Sequence, residues 1–204
     1  MSIELLFWDV DTQHDFMAED GKLAVPGATQ IVDVLKRLTD FAVENDIPIV
    51  ASGDAHEPDD PEFEEFGRHC VAGTPGQEKI SATSTPTAEV AEAARLSDQL
   101  ERLVSRDLQQ IVIHKRELDV FTVDLADRVL STLDPAHICA YGVATEYCVL
   151  KTVIGLLERG YTVTVVRDAV KAIQKDAGDK AREQMLKAGA DFTDSDELID
   201  SLSE

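Results

Sequence analysis

Hydrophobic positions along this chain alternate between a strand period and a helix period. Ile3 to Val10 is a short, mostly apolar, β-prone run that ends in the polar cluster Asp9 to Phe16, DVDTQHDF. That is the pattern of a strand buried on both faces with carboxylates at its C-terminal end. From Gly27 the apolar residues Ile31, Val34, Leu35, Leu38 and Ala42 share one helical face, and a second strand is predicted over Ile47 to Ser52, which completes one βαβ unit. Helical spacing returns from Thr87 to Arg106, and a third strand, Gln110 to His114, ends in Lys115. A helix of about ten residues is then predicted to end at Leu133, followed by a fourth strand from His137 to Tyr141. Beyond it come a helix carrying Val149, Val153, Leu156 and Leu157, a fifth strand over Tyr161 to Val166, a helix over Ala177 to Lys187, a brief sixth strand near Asp191 and a terminal SDELIDSL helix. This alternation predicts an α/β fold, a three-layer α/β/α arrangement around a six-stranded, mainly parallel sheet. With no linker or shift in composition, the chain reads as a single domain over residues 1–204.

One segment breaks the rhythm. Residues 53–86 are rich in proline and glycine and carry a run of acids from Glu57 to Glu65. A loop this long within a compact fold is usually functional or disordered.

Composition narrows the partners. There are 40 acidic residues against 19 basic ones, a formal net charge of −21, which argues against nucleic acid or an anionic membrane as partner. The three cysteines Cys70, Cys139 and Cys148 are an odd number without metal-finger spacing, so a disulfide framework is not expected. The N-terminus lacks a basic stretch and a small-residue cleavage site, and no 18 apolar residues run together, which predicts a cytoplasmic protein.

Candidate chemistry concentrates at Ile138 to Leu150, ICAYGVATEYCVL, where an apolar strand turns at Gly142 into a helix start with Thr145 as its expected N-cap. Cys148 then falls in the first helical turn, where free N–H groups and roughly half a unit of positive dipole charge favour a thiolate. An isolated cysteine in an apolar segment is more often buried filler. Ligands of open parallel sheets, however, bind beyond the carboxyl ends of the strands. Asp9 or Asp11 ends strand one, Gly53 to His56 follows strand two, Lys115 ends strand three and Cys148 follows strand four. A carboxylate, an ammonium and a thiol at one sheet edge make a nucleophile, its base and a cation that lowers the thiol pKa.

Several motifs together carry a resemblance. They are Asp11-x-Gln13-x-Asp15-Phe16, Gly53-Asp54-Ala55-His56, His69-Cys70-Val71-x-Gly73-Thr74-x-Gly76, Lys115, and Gly142-Val143-Ala144-Thr145-Glu146-Tyr147-Cys148. In this order the chain resembles the isochorismatase-like cysteine hydrolases, most closely their nicotinamidase/pyrazinamidase branch. The resemblance implies that Cys148 is the nucleophile, Asp11 the general acid/base and Lys115 the residue that lowers the thiol pKa. It implies a cis peptide between Val143 and Ala144, with the Ala144 and Cys148 N–H groups forming an oxyanion site. Asp54, His56 and His69 resemble the metal ligands of nicotinamidases, and two imidazoles with one carboxylate suit one divalent ion, zinc first, with iron or manganese as alternatives. Phe16 and Phe66 would line the substrate pocket. The implied reaction is hydrolysis of a small carboxamide, nicotinamide to nicotinate and ammonia, by a protein that, as is common in that family, forms a homo-oligomer. Cys70 and Cys139 read as structural, and His14, His114 and His137 as surface or packing residues.

The chain departs from that branch in three places. Phe66 and Gly67 stand where a Trp-Pro pair usually precedes the second metal histidine, Arg116 to Phe121 replaces a longer stretch, and Asp9 occupies a position where an apolar residue is common. The alternative is therefore a related cysteine hydrolase acting on another small amide, a carbamoyl compound or an isochorismate-like vinyl ether. Two further readings are a binding or redox-sensing protein whose thiolate oxidises reversibly, and a hydrolase driven wholly by the metal with Cys148 incidental.

Overall fold

β1 (Ile3–Val10) forms the middle of the sheet because its apolar residues are flanked on both sides by other buried strands; from Leu6 to Val10 every side chain is buried. The computed structural model describes residues 2–203. After β1 come the single-turn α1 (His14–Met17), α2 (Val32–Glu44), β2 (Ile49–Asp54), the single-turn α3 (Phe63–Phe66), β3 (Ala88–Val90), α4 (Leu96–Ser105) and β4 (Gln110–Lys115). The second half contains α5 (Asp124–Leu133), β5 (Pro135–Val143), α6 (Leu150–Glu158), β6 (Thr162–Lys171), α7 (Lys175–Ala188), β7 (Asp191–Thr193) and α8 (Ser195–Leu202).

The strand order is β3-β4-β2-β1-β5-β6-β7, and every neighbouring pair is parallel. The α/β class and the two helical layers are as the alternating periods predict. The sheet has seven strands, not six, because Ala88–Val90 pairs with Gln110–Val112 at the edge of β4. The Thr87 to Arg106 pattern thus divides into a short strand and a helix that begins at Leu96. The ladder hydrogen bonds offered by the free edge of β4 outweigh the helix preference of the Ala- and Glu-rich segment.

Two apolar layers sandwich the sheet. On one face Leu100, Leu103, Val129, Leu130, Val153, Leu156 and Met185 pack on Leu6, Trp8 and Val10; on the other, Leu35, Leu38, Ala42 and Leu198 pack on Phe7, Ile49 and Tyr141. Burying one such side chain stabilises the fold by about 1.5–3 kcal/mol. Among the described residues no helix is long and apolar enough to cross a membrane.

From β1 the chain first winds outward through β2 towards β3 and β4, then returns to place β5 on the other flank of β1. The carboxyl ends of β2, β1 and β5 therefore meet where the winding reverses, and a crevice at such a point is where open parallel sheets bind ligands.

Candidate active site

Strand register brings the ionisable groups together. Val10 pairs with Ser52 and with Gly142, and Asp54 pairs with Lys115, so four strands end at the same level. Gly142 has φ of +122°, and a Cβ there would lie 2.1 Å from the Val10 carbonyl oxygen. Only glycine lets β5 pass β1 so closely. Asp11 takes a left-handed φ of +50°, which a short polar side chain tolerates better than a branched one.

Lys115 is buried to its tip. Its ammonium lies 2.8 Å from Asp11 Oδ2, donates a short hydrogen bond to Asp54 Oδ1, and lies 3.5 Å from Cys148 Sγ. Ser52 Oγ donates to the other Asp11 oxygen at 2.6 Å. Burial works against the charge on Lys115, but Asp11 and Asp54 together outweigh it and hold the ammonium well above its usual pKa. Burial raises the Asp11 carboxyl, with Lys115 opposing and Asp54 adding to the shift. Asp54 goes the other way, because Lys115 and the two neighbouring imidazoles overcome its burial.

Cys148 lies in a π-helical turn over Thr145–Val149 that precedes α6. Tyr147 is the non-helical residue of that turn, with φ −117° and ψ −105°. The expected cap does not form: Thr145 Oγ1 is buried without a hydrogen-bond partner among the described residues. Lys115 pulls the thiol pKa down as expected, but burial and the nearby Asp11 and Asp54 outweigh it and push the thiol up. It therefore needs a base to ionise, and Asp11 shares its lysine. The Val143–Ala144 peptide is cis.

Beside this group, Asp54, His56 and His69 offer ligand atoms within 4.8 Å of one another. A bridge between His56 and Val71, with His56 N–H donating to the Cys70 carbonyl at 3.1 Å, folds the long loop back so that His69 reaches the end of β2. His69 Nδ1 donates to the Gly67 carbonyl at 2.8 Å, and Asp60 Oδ2 lies 3.2 Å from His56 Nδ1. The Gly67 carbonyl fixes the Nδ1 proton of His69, and both Nε2 atoms face Asp54 Oδ2, at 3.6 and 3.7 Å. Both ring nitrogens of His56 are buried and have no hydrogen bond among the described residues. Two imidazoles and a carboxylate gathered at one point, one imidazole with neither nitrogen hydrogen-bonded among the described residues, fit a divalent metal.

Both groups open on a narrow cleft lined by Phe16, Phe66, Leu118, Tyr147, Ile173 and Cys148, among others. Phe66 meets Tyr147 edge to face at 5.8 Å and Phe16 packs on His69 at 5.5 Å. Tyr147, Leu118, Ile173 and Asp60 carry no role in the sequence patterns. Tyr147 stood inside the nucleophile motif and Asp60 four residues after His56, whereas nothing local marks Ile173.

The remaining residues sit apart from this cluster. Cys70 adopts a left-handed φ of +41°, and its buried sulfur faces the Gly76 carbonyl at 3.7 Å. Burial pushes the Cys139 thiol up to about 12. His14 lies 3.7 Å from Asp20, His137 bonds Thr164, and His114 lies 3.5 Å from the Gln77 side chain.

The sequence matches the family model described as Isochorismatase domain over residues 5–197. It is similar to the nicotinamidase of Escherichia coli, 32% identical over 197 residues that cover 89% of this chain and 90% of that protein. The fold superposes on the pyrazinamidase of Pyrococcus horikoshii in complex with zinc, with a TM-score of 0.78, 28% identity, and 94% of this chain and 99% of that one covered. It also superposes on the N-carbamoylsarcosine amidase of Thermoplasma acidophilum, with a TM-score of 0.73, 26% identity and coverage of 95% and 98%.

Proposed function

The chain belongs to the isochorismatase-domain family, and from that premise we propose that it is a cysteine amidohydrolase that converts nicotinamide to nicotinate and ammonia through a thioester on Cys148. The observation that carries this reading is the contact of Lys115 with Asp11, Asp54 and Cys148, with Cys148 and Asp54 lining a narrow, largely apolar cleft. Similarity to a nicotinamidase selects the substrate within the amidases.

In the first step Asp11 takes the Cys148 proton while sulfur attacks the carboxamide carbon. The ammonium of Lys115, shared between the two groups, limits the charge that builds as the proton moves. The N–H groups of Ala144 and Cys148 receive the carbonyl oxygen as it becomes an oxyanion. Asp11 then gives its proton to the departing nitrogen and ammonia leaves. Water, deprotonated by the same aspartate, attacks the thioester carbon; the C–S bond breaks, the acid is released, and the proton returns to sulfur. Asp54, His56 and His69 would hold a divalent metal, zinc by the donor set, whose Lewis acidity offers a fixed contact for a ring nitrogen. Phe16 and Phe66 would flank the aromatic ring.

A second reading, a carbamoyl or other small amide, is favoured by Phe66 and Leu118, which wall the cleft from two of the three places where the sequence leaves the nicotinamidase pattern. The test is ammonia release from nicotinamide and from N-carbamoylsarcosine by metal-loaded protein, alongside Cys148→Ala. Turnover of nicotinamide that disappears in the variant supports the proposal. Release from N-carbamoylsarcosine alone would retire nicotinamide and keep the cysteine chemistry, whereas turnover that survives Cys148→Ala would remove the thioester.

A further inference from the structure

We propose that Glu146 is a positioning residue that sets the Ile173 wall of the substrate pocket and thereby the size of acyl group the nucleophile accepts. This rests on the amidase reading of the cavity. Glu146 occupies the turn that presents Cys148, two residues earlier, yet its carboxylate turns away from the reacting cluster. It accepts from two successive backbone amides across the crevice: Ile173 N–H to Oε2 at 3.2 Å and Gln174 N–H to Oε1 at 2.8 Å. Among the described residues the carboxylate makes no other hydrogen bond or ion pair.

Those amides need an outside acceptor. Ile173 and Gln174 lie between the last residue of β6 and the first of α7, where the ladder has ended and helical bonding has not begun; Gln174 is the N-cap, and its own side chain does not cap. An ionised acceptor bonds such amides about twice as strongly as a neutral one and suits the positive end of α7. Ile173 shares the cavity with Cys148 and with Tyr147, the residue after Glu146. One turn therefore carries the sulfur, the Tyr147 face of the pocket and, through Glu146, the hold on Ile173. The spacing between nucleophile and wall is set by a single side chain that does not touch the reacting atoms.

A double-mutant cycle tests this. Glu146→Ala is expected to raise KM roughly tenfold, with kcat changed less than about threefold, because the wall and not the chemistry is loosened. Glu146→Gln, which keeps one acceptor oxygen, should recover part of the loss. Ile173→Ala should raise KM similarly, and the double variant no further than either single one, since both act through the same contact. KM effects that multiply, or a fall in kcat at unchanged KM, would overturn the proposal. If wild-type protein releases no ammonia from nicotinamide, the substrate reading fails by itself. The cycle is then read as the Cys148 alkylation rate with N-phenyliodoacetamide relative to iodoacetamide. That ratio should rise in each single variant and no further in the double, and an unchanged ratio would overturn the wall assignment. Melting temperatures identify any variant whose fold is lost, and Glu146→Gln then carries the test.

Discussion

Two buried carboxylates share one buried ammonium at the centre of this protein, and that imbalance decides how each residue behaves. Asp11 is held by Ser52 and Lys115 with its pKa raised by burial, which suits it to pick up and return a proton. Asp11→Asn should therefore lower kcat by about 10²–10⁴, with KM changed little, as measured by steady-state ammonia release. The buried thiols give a pH dependence of stability. Cys139 titrates near 12 in the folded chain against about 8.5 when unfolded. Because the folded value is the higher one, its contribution is complete below about pH 8.5 and is lost as pH rises towards 12. At pH 10 the loss is on the order of 2 kcal/mol. Denaturant midpoints at pH 7 and pH 10 should diverge in wild type and lie closer together in Cys139→Ala.

At the scale of elements, what matters is how the long loop after β2 is fastened to β1. Asp9, fully buried in β1, is met by Lys79 at 2.6 Å and by Thr12 Oγ1 at 3.0 Å, and Lys79 also bonds Thr12. Thr12 in turn bonds Thr83 at 2.7 Å. The charge that departs from the family pattern at Asp9 thus has its partner in the loop. Lys79→Met leaves that carboxylate buried and unpaired and should cost about 3–5 kcal/mol, whereas adding Asp9→Val should restore most of it, read from urea unfolding. The same loop supplies His56 and His69. A metal bound only by the folded chain should stabilise it by about 4 kcal/mol at a thousand times its Kd. A chelator should therefore lower the melting temperature of wild type and leave that of His69→Ala unchanged. The helical period over Thr87 to Arg106 misled for an element-scale reason: Ala88–Val90 reads as helix locally, but it completes a ladder with a strand more than twenty residues away.

The whole molecule carries a net charge of −21 on 204 residues. Self-repulsion of that size weakens the compact state, and a Debye length of about 10 Å at 0.1 M salt screens much of it. The melting temperature should rise between 0.01 and 0.5 M sodium chloride, and a flat response would place the acids in compensated pairs. Most of the architecture was legible along the chain, because buried parallel strands and amphipathic helices write their periods into consecutive residues: β1, α2, β4, α5 and α8 lie close to where those periods put them. The candidate residues were legible for a related reason, since ligands gather at strand ends and the sequence marks those ends with Asp11, Asp54, Lys115 and Cys148. Distances and charge balance were not. That Lys115 serves two carboxylates at once, that Lys115 also reaches Cys148, that Asp9 meets Lys79 and that Glu146 grips Ile173 all depend on partners 27 to 104 residues apart. The sequence by itself determined which elements form and which chemical groups stand at their ends, because both follow from near-neighbour pattern. Only the tertiary structure decided which of those groups share a proton, a cation or a wall, because such energies vary with separation and burial, and neither is a property of neighbours along the chain.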